Sequence, residues 1–228
     1  MTDTGPRLKA LRSWAKREGM CLGILERALE LLRMEEGLPE AEVGLNHRLY
    51  FCIITASREL YPADKIAPMA ESNNQPDPDD ASRAACEWKK PDFQWGYLDR
   101  YEPDPKRSGR QFVVECKRLG KPCRADWIFN VNYVVDGICR FRDPKWAYAR
   151  RFRSGAMVGY LQSMNPRQVL KEVNDEVRRN SLPDLVPTAS ASPRVPGRDR
   201  LDHTFDRPFE VSPFHLHHLW VDLRQAIE

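Results

Sequence analysis

Glu115 and Lys117 stand two residues apart inside the apolar run 111–119. In a strand, residues i and i+2 share a face, so their carboxylate and amine project together while Phe112, Val114 and Cys116 turn toward apolar packing. Charged groups at such positions are costly to bury unless they are paired or bound to a metal. Asp92, which follows Pro91, opens a preceding strand at 93–98. Pairing of the two strands as a hairpin carries it toward Glu115. Two converging carboxylates suit a hard divalent cation such as Mg2+, or Mn2+ in its place. A lysine beside them can orient and help deprotonate a water, and stabilise charge on a phosphate. The chemistry this suggests is metal-assisted hydrolysis of a phosphodiester.

Context singles out this pair. An acid two residues before a lysine occurs four times, as Glu87/Lys89, Asp104/Lys106, Glu115/Lys117 and Asp143/Lys145. Asp104 and Asp143 each precede a proline in a polar loop, and Glu87 precedes the first strand signal. Only Glu115/Lys117 lies within an apolar strand. A third acid, Glu42, falls on the same helical stripe as Leu45, Leu49, Ile53, Ala56 and Leu60, an unusual place for a carboxylate. A first-turn acid also complements the helix dipole, so both roles are open for Glu42. Gln94 shares a face with Asp92 and reads as a solvated strand residue bordering the site.

Basic residues crowd one stretch. Arg140, Arg142, Lys145, Arg150, Arg151 and Arg153 face only Asp143 in opposition and are interleaved with Phe141, Trp146, Tyr148 and Phe152. Such a mixture suits a nucleic-acid backbone, or equally a solvated connector with partly buried rings. Lys106, Arg107 and Arg110 form a second basic group in the hairpin loop, within expected reach of DNA over the site. His203, His215, His217 and His218 read as structural, because no acid or cysteine stands at a strong ligand spacing. His203 with Arg207 is a candidate phosphate site.

The elements that position these residues follow from periodicity. Leu22, Leu25, Leu29 and Leu32 predict a helix over 20–34, and 39–60 a second. Residues 62–80 read as a loop. Strands are expected at 93–98, 111–119 and 156–161, and helices at 126–141 and 168–179. Residues 216–223 read as a strand or short helix packing back on the core. An earlier strand is allowed within 62–90. Ten of the 18 prolines fall in 62–78 and 183–213, which marks two excursions.

Length and composition narrow the class. The 228 residues suit a single domain: a helical extension over 1–36, a core over about 39–180, a proline-rich loop over about 181–200 and a C-terminal segment over 201–228. A net charge of +3 excludes both a polycation and an acidic tail protein. Mean hydropathy is −0.63 and no run of about 18 apolar residues occurs, so no membrane partner is expected. Residues 1–18 are polar and basic, with no apolar core of a signal peptide. The six cysteines form no Cys-x-x-Cys pair and read as buried free thiols of a reducing, cytoplasmic setting. No phosphate-binding Gly-x-x-x-x-Gly-Lys-Ser/Thr is present, so any ATP use belongs to another protein.

Pro91-Asp92 followed by Glu115-Cys116-Lys117 resembles the PD-(D/E)XK nuclease superfamily, whose core runs helix, three strands, helix, strand. The resemblance covers about residues 39–165. Looser likeness in 133–141 and 155–162 is to nuclease-like proteins of bacterial defence systems. The resemblance implies an α/β fold with a restriction-endonuclease-like core, a central mixed sheet of about four or five strands flanked by helices. It implies Asp92 and Glu115 as ligands of Mg2+ or Mn2+, the Cys116 backbone carbonyl as a further ligand, Lys117 as the water-orienting group and Glu42 as the added helix acid. The function expected is DNA cleavage, by an endonuclease rather than an exonuclease, as effector or subunit of a defence or restriction system. A protein supplying specificity or ATP-driven activation is an implied partner, with a second copy of the chain as a further option. Two alternatives stand beside it: a non-catalytic nucleic-acid-binding or assembly subunit of the same fold, and an RNA-cleaving nuclease.

Overall fold

Leu22, Leu25, Leu29 and Leu32 are buried along one side of helix α1 (Pro6–Arg33). Leu45, Leu49, Ile53 and Ala56 do the same on α2 (Glu42–Leu60), as their spacing predicts. The computed structural model describes residues 6–224 except 65, 77–78, 80–84, 125–126 and 190–196, with side chains from residue 13 onward. The expected helix start at Asp126 lies outside the described residues.

Seven strands form one mixed sheet among the described residues. They are β1 (Met69–Ala70), β2 (Phe93–Leu98), β3 (Gly109–Leu119), β4 (Ser154–Leu161), β5 (Val186–Pro187), β6 (Arg198–Phe205) and β7 (Phe214–Asp222), in the order β1-β2-β3-β4-β7-β6-β5. β1, β2 and β3 are antiparallel, β3, β4 and β7 run parallel, and β7, β6 and β5 are again antiparallel. The sheet thus exceeds the expected four or five strands. β1 is the short strand allowed within 62–90, and β5 with the start of β6 lies in the stretch read as a proline-rich loop. β7 is no peripheral segment, since it pairs with both β4 and β6.

β6 escaped the periodicity reading because its buried face carries only two apolar side chains, Leu201 and Phe205, with a histidine between them. Leu201, His203 and Phe205 are buried, while Arg198 and Arg200 turn to α1 and pair with Glu30 and Glu26, each at 2.8 Å.

Helices cover both faces. On one, α1 and α2 pack against Phe93, Trp95, Phe112, Val114, Cys116, Ala156, Val158, Leu219 and Val221. On the other, Val113, Leu119, Met157, Leu161, Leu216 and Trp220 meet the β3–β4 crossover and α5 (Pro166–Arg179). The crossover is α3 (Phe129–Tyr133), a π-helical turn (Val134–Ile138) and α4 (Cys139–Arg142). Tyr133 anchors it, with its hydroxyl 2.7 Å from Nδ1 of His218 and accepting from Nε1 of Trp220 at 2.9 Å. All six cysteines are free thiols, five of them buried; Cys123 is exposed, against the reading that all are core.

Candidate active site

The β2–β3 register pairs Phe93 with Val114, so its next step sets Asp92 opposite Glu115. Asp92 is held from two sides. Its Oδ2 accepts the backbone N–H of Cys116 at 2.7 Å, and its Oδ1 accepts Nδ2 of Asn46 at 3.0 Å. Asn46 in turn accepts the Tyr160 hydroxyl at 2.8 Å. Asn46 follows Glu42 by one helical turn, so both project from the same face of α2.

Glu115 is 1% exposed. Its Oε1 receives Nζ of Lys117 at 2.9 Å and a guanidinium nitrogen of Arg140 at 2.5 Å. Lys117 also donates to Oε1 of Glu42 and to the Cys116 carbonyl, both at 2.8 Å. Asp92, Glu115, Lys117 and Glu42 therefore meet in one cluster, and Glu42 is a member of it. Arg140, expected at a nucleic-acid surface, belongs to this cluster instead and stacks over Trp146 at 4.2 Å. The π-helical turn fits closely here. A Cβ on Gly137 would lie 2.5 Å from Cε of Met157 and 3.4 Å from Cγ of Lys117.

Burial pushes the Asp92 carboxyl well above the usual range, and the neighbouring Glu115 charge adds to it. Burial also raises Glu115, against the opposing pull of Lys117 and Arg140. Burial works against the charge of Lys117, yet Glu115, Asp92 and Glu42 together hold its pKa above the ordinary value. The charged form of Lys117 is thus favoured by the carboxylates around it.

The donor set fits a hard cation. Oε2 of Glu115 is buried with no hydrogen-bond partner, and such an atom is expensive to leave unsatisfied. The Asp92 oxygens, the Cys116 carbonyl and Glu42 add further oxygen ligands of the kind Mg2+ or Mn2+ accepts.

The remaining basic residues separate. Arg142 bonds Asp143 at 2.7 Å and the Asn180 carbonyl at 2.6 Å, which ties α4 to the end of α5. Lys145 and Lys106 are exposed. Arg107, Arg110, Arg150, Arg151 and Arg153 line one cavity of about 800 Å³. Within it Arg107 pairs with Asp79, and Arg110 with Asp99 and Glu102 at 3.1 and 2.9 Å. This cavity is set apart from Asp92 along the hairpin. It lies at the hairpin-turn end of β2–β3, where its lining residue Asp99 is seven residues from Asp92, or about 23 Å at about 3.3 Å per residue.

Arg207 lines no phosphate site. Its guanidinium is spent on the carbonyls of Phe141, Tyr148, Ala149, Arg150, Phe152 and Val211, at 2.5–3.3 Å. Burial pushes its pKa down to about 9. It thereby shapes the segment carrying Trp146 and Arg150. His203 and His218 are buried, with burial pushing His203 down to about 4, which accords with a structural role. Gln94 is buried rather than solvated and donates to the Asn73 carbonyl at 3.0 Å.

Sequence reasoning missed Asn46 and the pairing role of Arg140. The i+4 spacing from Glu42 signals the first. Nothing local signals the second, because Arg140 sits among five other basic residues within 140–153.

No protein-family model matches the chain, and neither a curated protein nor a solved structure matches it.

Proposed function

We propose that the chain is a divalent-metal-dependent phosphodiesterase that cleaves DNA, built on a restriction-endonuclease-like core. The observation that carries this reading is the cluster of Asp92, Glu115, Glu42 and Lys117 around the buried, unpartnered Oε2 of Glu115. The chain order of α2, three antiparallel strands, the α3–α4 crossover and a strand parallel to the third supports it. Asp92, Glu115, the Cys116 carbonyl and Glu42 would hold Mg2+ or Mn2+. When bound, the ion supplies Lewis acidity and a more acidic water. Lys117 would orient the attacking water and, as a cation, offset charge on the scissile phosphate. Glu42 and the Cys116 carbonyl fix where that cation points. The arginine-lined cavity offers charge for a phosphate backbone. A role in a bacterial defence or restriction system, with a partner protein, extends this reading.

One observation favours a second reading, a non-catalytic nucleic-acid-binding or assembly subunit. Oε1 of Glu115 is shared by two cations, Lys117 and Arg140, as in a closed buried salt bridge. Incubation of the purified protein with Mg2+ or Mn2+ and plasmid, single-stranded DNA or RNA separates the readings. Cleavage of DNA that Lys117→Ala and Glu115→Gln abolish supports the enzyme, and cleavage of RNA alone redirects it to a ribonuclease. Binding without cleavage of any substrate supports the second reading.

A further inference from the structure

We propose that Asp202, His215 and His217 form a second metal site, for a zinc-class divalent transition ion, in the polar seam between α1 and the β6–β7 pair. The register sets Asp202 opposite His217 and Thr204 opposite His215. The two histidines are i and i+2 on β7, so their rings share a face, with centroids 4.3 Å apart. Nε2 of His215 lies 3.3 Å, and Nδ1 of His217 3.6 Å, from the same oxygen, Oδ1 of Asp202. The three ligand atoms all fall within 4.8 Å of one another. With Zn–N and Zn–O bonds of about 2.0–2.1 Å, tetrahedral ligand atoms stand about 3.3 Å apart, so one ion fits between them after small side-chain adjustments.

The outer ring nitrogens carry an independent argument. A ligating imidazole is oriented by a partner on its other nitrogen. Nδ1 of His215 lies 2.9 Å from Oγ1 of Thr204, and Nε2 of His217 lies 2.8 Å from Oε1 of Glu18 on α1. Each ring is thus fixed so that its remaining nitrogen faces Asp202. His217 is 7% exposed, and its Nδ1 is buried without a hydrogen-bond partner. Two imidazoles with one carboxylate select a transition ion over Mg2+. His215 and Asp202 are half-buried, which leaves a solvent-facing position for a water ligand.

This site is separate from the carboxylate cluster. Val114, Ala156 and His217 stand in one row across β3, β4 and β7, so His217 is two strands, or about 10 Å, from β3. Its side chain lies on the α1 face, opposite to that of Glu115. A bound ion would tie β6 and β7 to α1 through Glu18 and so stabilise the native state.

The test strips the full-length protein with chelator, equilibrates it with zinc sulfate alone, and measures zinc per chain after gel filtration. Thermal unfolding is followed in parallel. The expected result is one equivalent of zinc that Glu115→Gln retains and His215→Ala loses, with a zinc-dependent rise in Tm that His215→Ala also loses. Asp202→Asn should weaken binding at least tenfold. His215 is the more exposed histidine, so its substitution keeps the test independent of the packing of His217. Equal zinc content in the wild type and His215→Ala overturns the proposal, as does a wild type that retains no zinc.

Discussion

The backbone N–H of Cys116 donates to Oδ2 of Asp92 at 2.7 Å, so the carboxylate that opens β2 is tied to the middle residue of the Glu-Cys-Lys run on β3. That bond holds Asp92 beside Glu115 despite their mutual repulsion. Burial raises both carboxyls above their ordinary pKa values, and the Glu115 charge adds to the shift of Asp92.

The sign of this effect is testable with Asp92→Asn. A carboxyl whose folded pKa exceeds its unfolded value costs no stability below the unfolded value, near pH 4. The penalty grows as pH rises from there toward the folded value, because the unfolded chain ionises first. Asp92→Asn is therefore expected to melt a few degrees above the wild type at pH 8 and level with it at pH 4. Calorimetry at the two pH values checks this, and a variant less stable at both contradicts it. Mg2+ should narrow the gap at pH 8 by stabilising only the wild type.

Lys117→Ala removes the donor shared by Glu115, Glu42 and the Cys116 carbonyl. Arg140 still compensates Glu115, so the variant is expected to stay folded by circular dichroism. Its metal-dependent cleavage rate should fall by at least about 100-fold, in line with loss of a preorganised donor. Wild-type cleavage by a folded Lys117→Ala would remove the lysine from the mechanism.

Arg207→Lys tests the support beneath the 141–152 segment. A lysine carries fewer donors and no planar fork, so several of the six carbonyls now served would lose their partner. The expected loss is at least about 3 kcal/mol in urea unfolding, since each buried unsatisfied acceptor costs about 1–3 kcal/mol. A loss under about 1 kcal/mol would show that water takes over these carbonyls.

Arg150→Ala and Arg153→Ala probe the basic cavity. If these side chains meet phosphates, binding weakens evenly across sequences. The slope of log K against log salt then falls by about 0.9 per lost contact on duplex DNA. Fluorescence anisotropy over a salt series measures it, and an unchanged slope places the backbone elsewhere.

The carboxylate cluster was legible because each of its steps is local. The period of two on 111–119 puts Glu115 and Lys117 on one face, a hairpin brings Asp92 opposite, and the period of α2 puts Glu42 on its apolar stripe. Asn46 was within reach of the same reasoning. Arg140 was not, since its direction depends on the π-helical turn at Val134–Ile138 and on Trp146, whose carbonyl accepts Nδ2 of Asn74 from 72 residues earlier in the chain.

The amphipathic helices, the β2–β3 hairpin and the shared face of Glu115 and Lys117 were determined by the sequence itself, because side-chain periodicity and turn residues act over a few positions. The tertiary structure alone decided that β7 enters the sheet between β4 and β6. It alone set Asp202 beside His215 and His217, and it divided one basic run between a carboxylate site and a distant cavity. Those outcomes rest on strand register and on contacts between residues far apart in the chain. Such pairing is selected by the fit of whole faces during folding and leaves no period in the sequence to read.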